Sequence, residues 1–103
     1  MTGRMSRNKG LGYERELVNG FKARGLNAQR VPLSGATDYA KGDIEVIAGF
    51  DGKTKYVGEA KRRKAIPDWL TNALGENDFL ALRGDRGETL VLLRFDTFGD
   101  LLQ

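Results

Sequence analysis

Apolar residues in the first quarter of the chain recur at the spacing of one face of a helix. Leu17, Val18 and Phe21 form this face, and Gly25 provides a stop. Glu14 lies three, four and seven residues before these positions, so it is on the same face. A carboxylate on the side that must be buried requires a cation or hydrogen bonds, and a metal ion would supply the charge.

Short apolar runs bounded by turn residues predict strands in the rest of the chain, with one further helix. The predicted elements are a helix from about 11 to 25, strands at 27–31, 44–47 and 56–57, a helix at 67–74, a hairpin of 79–83 with 89–95, and a helical turn at 98–102. Residues 1–9 are predicted to be a flexible basic arm, and 34–42 a loop. The order α-β-β-β-α-β-β indicates an α/β fold with a mixed sheet flanked by helices, and 103 residues suit one domain.

Composition removes several classes of chemistry. The chain has no cysteine and no histidine, which excludes zinc fingers, thiol nucleophiles and Ser-His-Asp triads. No hydrophobic run approaches the roughly 20 residues that a membrane helix needs, so we expect a soluble, cytoplasmic protein without membrane contact.

The charge is unevenly distributed along the chain. Residues 1–64 contain 14 Lys and Arg against 7 Asp and Glu, whereas residues 65–103 contain 3 against 7. A basic segment of this kind favours a polyanionic partner, of which nucleic acid is the commonest for a soluble protein. A basic face that only maintains solubility is the alternative.

Acidic residues within the basic part lie on two neighbouring predicted strands. Glu59 and Lys61 share a face because side chains alternate along a strand. A two-residue turn at Asp51 and Gly52 would place Asp43 on the opposite face, whereas a loop of odd length or a bulge would place it on the same face. A site that contains both Asp43 and Glu59 therefore requires a loop with an odd number of residues between the two strands, or a bulge.

Such a cluster suits phosphodiester hydrolysis. Carboxylate oxygens are the ligands that Mg²⁺ and Mn²⁺ prefer, and a lysine beside the metal can position water or stabilise charge on a phosphate. We expect Mg²⁺ as the cofactor, with Mn²⁺ as a substitute and no small-molecule cofactor.

Ordinary ion pairs are the alternative for each acid taken singly. Asp43 and Glu59 could pair with Lys41, Lys61 or Arg62. Glu45 shares the face of Asp43 and is an alternative or auxiliary ligand.

Five segments together resemble one nuclease family in order and spacing. They are Lys9-Gly10, Glu14-Arg15-Glu16-Leu17-Val18, Arg30-Val31-Pro32-Leu33-Ser34-Gly35, Gly42-Asp43 and Glu59-Ala60-Lys61. Over residues 9 to about 64 the chain resembles the archaeal-type Holliday junction resolvases, a branch of the PD-(D/E)xK nuclease superfamily. Gly42 stands where the superfamily motif has proline.

The resemblance implies a restriction-endonuclease-like fold and a set of catalytic roles. Glu14, Asp43 and Glu59 would hold the divalent metal, and Lys61 would activate or orient the attacking water. The family cuts four-way DNA junctions as a symmetric homodimer, and its paired nicks leave 5′-phosphate and 3′-hydroxyl ends.

The same likeness places Arg15, Arg30 and Ser34 at the scissile phosphate or its neighbours. The basic run of residues 62–64 directly follows the site, where phosphates must pass. The predicted DNA-binding residues are Lys9, Arg15, Arg30, Ser34, Lys41, Arg62, Arg63 and Lys64.

Other functions remain open from the residues alone. A nicking, fork or mismatch nuclease of the same superfamily would share these motifs, and an RNA-processing endonuclease is a further alternative. A basic DNA-binding module whose acids are structural belongs to a different class. It would bind DNA in a salt-dependent way and form no metal-dependent product.

Overall fold

The structure is a computed structural model that describes the backbone of residues 2–31 and 42–103 and the side chains of residues 12–31 and 42–103. Its elements in chain order are α1 (Thr2–Ala23), β1 (Asn27–Arg30), β2 (Ile44–Ala48), β3 (Thr54–Gly58), α2 (Asp68–Leu74), β4 (Leu80–Leu82), β5 (Leu90–Leu92) and α3 (Phe95–Leu102). This confirms the α/β class and the predicted order. The loop predicted for residues 34–42 lies outside the described residues apart from Gly42.

Helix α1 begins earlier than the apolar pattern indicates. It starts at Thr2, so the backbone of residues 2–9 is helical, although their sequence has no apolar face that indicates a helix. Once the packed part of a helix has nucleated, each added residue gains a hydrogen bond, and this segment contains no proline to stop the propagation.

The C-terminal end of α1 is closed where the sequence predicts. The N–H of Gly25 donates to the carbonyl of Lys22 at 2.9 Å, and the N–H of Leu26 donates to that of Phe21 at 3.1 Å. Gly25 has φ 84°, the left-handed conformation that this pair of bonds requires. The chain thereby reverses directly into β1.

Strand β2 is the centre of a three-stranded antiparallel sheet in the order β1-β2-β3. One face of β2 carries Ile44, Val46 and Ala48, all buried, and Ala28 of β1 is opposite Val46. Among the described side chains of α1, those of residues 12–23, Val18 and Phe21 are buried. These six residues form the core of this part of the chain, with contacts between α1 and both β1 and β2.

Contacts divide the chain into two compact units, residues Met1–Arg62 with Gln103 and residues Arg63–Leu102. The second unit contains the β4–β5 hairpin, in which Leu80 is opposite Leu92. Arg94 donates to the backbone carbonyls of Gly75 and Asn77, and thereby fixes the chain that leaves α2. Phe95 begins α3 and does not end a strand, so the predicted helical turn is a helix of eight residues.

Five residues, 49–53, connect β2 to β3, and Asp51 organises them. Its Oδ1 accepts hydrogen bonds from the Lys53 N–H at 2.9 Å and the Thr54 hydroxyl at 3.2 Å. The Lys53 N–H is the main reason why the pKa of Asp51 is lower than its usual 3.8. The side chain thus stabilises a loop of odd length.

We predict that the β2–β3 loop loosens only at acid pH. A pKa depressed in the folded state means that the stabilisation is present above the ordinary value of 3.8 and is lost as pH falls through the folded pKa. An NMR titration of the Asp51 carboxyl carbon should give a midpoint below 3.8. Thr54→Val should raise this midpoint only in part, because the Lys53 bond persists. A wild-type midpoint at or above the ordinary value would contradict the role of the turn.

Candidate active site

The register of β2 and β3 decides where the predicted acids meet. Ile44 is opposite Gly58, so Asp43 precedes the last pair on one strand and Glu59 follows it on the other. The five-residue loop confirms the prediction of an odd connection. Both acids therefore lie at the same end of the strand pair.

Asp43 is held against the segment that contains Glu59 and Lys61. Its Oδ2 accepts the N–H of Ala60 at 2.8 Å, and its own N–H donates to the carbonyl of Gly58 at 2.9 Å. The register of β2 and β3 would pair Asp43 with Glu59, whereas the Asp43 N–H bonds to Gly58, one residue earlier. The ladder of hydrogen bonds is therefore irregular at this end. A carboxylate oxygen takes the place of a backbone carbonyl, which ends β3 before Glu59.

Glu59 and Lys61 form an ion pair beyond the end of β3. Lys61 Nζ is 3.4 Å from Glu59 Oε2, and both side chains are more than half exposed. An exposed pair of this kind contributes little to stability. The two residues are therefore accessible to a ligand, and little folding energy depends on their mutual contact.

Glu14 has the cation that its half-buried position requires. Its Oε1 is 3.0 Å from Arg30 Nε, and its side chain is 17% exposed. The prediction that this acid needs a positive partner is thus met by a residue of β1.

The backbone links this ion pair to Asp43. Arg30 is opposite Ile44, and the next residue of the chain, Val31, donates its N–H to the carbonyl of Asp43 at 2.9 Å. Glu14 is therefore bonded to the side chain of the residue that precedes the β1 partner of Asp43. The two contacts lie at the same end of β2.

Glu45, the alternative ligand, is enclosed in its own polar contacts. It is 8% exposed, accepts the Gln29 side-chain amide at 2.5 Å and lies 3.7 Å from Lys55 Nζ. Gln29 is directly opposite it across β1 and β2. The mid-strand position, flanked on both sides, explains this burial, and the structure favours the ion-pair interpretation for Glu45.

Within the side chains that the structure describes, no three acidic residues come together as a ready-made metal cluster. The contacts above use Oε1 of Glu14, Oδ2 of Asp43 and Oε2 of Glu59. The other oxygen of each carboxylate takes no part in them. As a donor set, three carboxylates suit Mg²⁺ or Mn²⁺.

The predicted DNA-binding residues are placed in part. Arg15 is exposed on α1, and residues 62–64 are exposed in the segment after Lys61. Ser34 and Lys41 lie outside the described residues, as does the side chain of Lys9.

Comparison with known proteins decides the family. The family model described as archaeal Holliday junction resolvase (Hjc) matches residues 5–98 of this chain. The chain belongs to the archaeal Holliday junction resolvase family. Curated proteins and solved structures give no match.

Membership in the resolvase family confirms the resemblance carried by the five motifs. At the level of the family, the protein is a nuclease of Holliday junctions, and its substrate is branched DNA. The match continues beyond residue 64, where the motifs end, and thus includes α2 and the β4–β5 hairpin. None of the described helices of this resolvase-family chain has the length and apolar content of a membrane span.

Two supporting features of the candidate site in this resolvase-family chain were not predicted from the sequence. One is the Ala60 amide, since a backbone donor leaves no signal in the side-chain pattern. The other is Gly42, which has φ 106° and lies so close to β3 that an added Cβ would be 2.5 Å from Val57 Cγ1. Glycine immediately before a predicted site acid was the available signal.

We predict that Gly42→Ala displaces Asp43 and destabilises the fold. A side chain at this φ is strained and would also collide with Val57, so we expect a loss of about 2–4 kcal/mol in the free energy of unfolding. Gly52→Ala is the matched control, because Gly52 also has positive φ (66°) but has nothing within 4 Å of an added Cβ.

Urea unfolding of both variants measures the difference. The control should lose only about 1 kcal/mol, the cost of the backbone conformation alone. Equal losses of unfolding free energy in the two variants would show that the close contact with β3 does not explain the need for glycine at position 42.

Proposed function

We propose that this protein is a Mg²⁺-dependent endonuclease that resolves four-way DNA junctions by paired hydrolysis and leaves 5′-phosphate and 3′-hydroxyl ends. The observation that carries the proposal is the contact of the Asp43 carboxylate with the Ala60 amide. It brings the first acid against the segment that contains the second acid and the lysine. Family membership supplies the substrate class.

In this proposal Asp43, Glu59 and Glu14 hold the metal. When bound, Mg²⁺ supplies Lewis-acid activation of water and neutralises charge on the phosphate. Asp43 is already oriented by one backbone bond, so a single rotamer can present its other oxygen. Arg30 offsets the charge of Glu14 and lowers the repulsion between acids.

Lys61 is proposed to orient the attacking water. Its ammonium is 3.4 Å from Glu59 and exposed, so it can exchange this partner for a water or a phosphate oxygen. A positive group held beside the reacting phosphate also stabilises the negative charge that develops there.

The basic residues after the site are proposed as contacts to the DNA backbone. Arg62, Arg63 and Lys64 follow Lys61 directly and are exposed. Together with Arg15 and Arg30 they add positive charge on both sides of the acids in sequence. Such contacts set affinity and register without reading sequence.

We predict that Glu59→Gln and Asp43→Asn abolish cleavage and leave junction binding intact or tighter. Loss of a side chain that only hydrogen-bonds to a metal ligand costs up to about 100-fold in activity. Loss of the charge of a ligand itself should therefore reduce the cleavage rate by at least about 100-fold. Both substitutions keep the shape of the side chain, and the carboxamide of Asp43→Asn would retain an oxygen for the Ala60 N–H. The assay is cleavage of an end-labelled four-way junction with Mg²⁺, with Mn²⁺ and with EDTA.

Glu16→Gln is the matched control, since Glu16 is exposed on the same helix as Glu14. It should cut like the wild type. A flap and a linear duplex, run in parallel, test the preference for the junction. Cleavage in EDTA, or full activity in both site variants, would refute the proposed metal site. Salt-dependent binding without any product would favour the structural DNA-binding alternative.

We also propose that the protein acts as a homodimer, since two symmetric nicks require two sites. Exposed apolar side chains of the second unit, among them Trp69, Leu90 and Val91, provide surface of the kind that dimers bury. Light scattering coupled to gel filtration should give about twice the chain mass of 11.4 kDa. A monomer at micromolar concentration that still makes paired nicks would contradict this expectation.

A further inference from the structure

A groove of about 340 Å³ lies between helix α1 and strand β1. The residues that line it are Arg15, Val18, Asn19, Lys22, Gln29 and Arg30. The four from α1 are spaced at three, four and seven residues, so they occupy a single stripe of the helix. β1 is at the edge of its sheet, and the groove therefore runs where a helix face meets a strand edge.

The chemistry of the groove is cationic and polar above an apolar floor. Val18 is buried beneath it, whereas Arg15, Asn19 and Lys22 are exposed. Arg15 and Lys22 are two helical turns apart, about 10 Å along the axis. A single DNA strand carries one phosphate per about 3.4 Å of axis, so this span corresponds to about three nucleotides.

The edge of β1 adds a backbone donor. Val31 donates its N–H to Asp43, and Gln29 is opposite Glu45, so the alternation of an antiparallel ladder directs the Arg30 N–H away from β2. An outward amide and the carboxamide of Asn19 are neutral donors of the kind that phosphates accept. The charged and neutral donors thus lie along one path.

We propose that this groove binds a segment of DNA backbone next to the scissile phosphate, with Lys22 and Asn19 as phosphate contacts. The inference rests on the proposed function. Arg30 connects the two regions, because it lines the groove and also binds Glu14. A phosphate chain that leaves the acids along α1 therefore meets Arg30, Arg15, Asn19 and Lys22 in turn.

The test measures binding of a fluorescein-labelled four-way junction by anisotropy, in EDTA, over a series of salt concentrations. Lys22→Ala should weaken binding on the order of 3- to 10-fold and reduce the slope of log affinity against log salt by about 1. Lys53→Ala removes the same charge from the β2–β3 loop and should change neither value.

A second pair of variants changes charge at nearly constant shape. Asn19→Asp places a carboxylate in the groove and should weaken binding, whereas Asn27→Asp makes the same change outside the lining residues. Both asparagines are exposed, so neither variant alters the core. Thermal unfolding by circular dichroism verifies that all four variants fold.

Equal affinity and equal salt slope for each variant and its control would overturn the proposal that the groove binds DNA. If the wild type still binds the junction in that case, the proposed function is unaffected. A wild type that does not bind the junction would refute both. Inorganic phosphate, added while the Asn19 side-chain NMR signal is followed, tests a small free anion as the occupant. Shifts with phosphate but no difference in DNA binding between Asn19→Asp and Asn27→Asp would also overturn the proposal.

Discussion

The register of β2 between its two neighbours is the constraint on which the first unit depends. Ile44 is opposite Arg30 on one side and Gly58 on the other, and this places the apolar face of β2 against α1. A slip of one residue would place Glu45 in the core position that Val46 now occupies. It would also separate the Asp43 carboxylate from the Ala60 N–H. The core and the candidate site are therefore specified by the same pairing, and the Asp51 turn stabilises it from the opposite end of the strands.

Each of the principal acids has a different partner, and this difference sorts their roles. Glu14 is neutralised by Arg30, and Glu45 is enclosed by Gln29 and Lys55. Asp43, by contrast, accepts within the described residues the neutral N–H of Ala60, which orients its carboxylate without cancelling its charge. Among these three acids, Asp43 thus retains the strongest reason to attract a cation, whereas Glu45 has none.

Much of the fold and part of the site could be predicted from the sequence. Apolar periodicity predicted β2 and α1 from about residue 11, glycine predicted the end of α1, and the hypothesis of a joint site for Asp43 and Glu59 predicted a loop of odd length between β2 and β3. The sequence could not show that Arg30 is the cation for Glu14, because ion pairs between distant residues depend on register. It also missed the helical residues 2–9, since a helix can extend beyond its packed face without any apolar signal.

Gly42 stands immediately before Asp43, where the nuclease motif that this sequence resembles has proline. Proline fixes φ near −65°, whereas Gly42 has φ 106°. The positive φ turns the chain so that the Asp43 N–H meets the Gly58 carbonyl and its carboxylate meets the Ala60 amide. Proline at 42 would require another approach to β2, and with it another way to orient the acid. The glycine therefore belongs to a local solution in which close contact with β3, and not a rigid ring, positions the carboxylate.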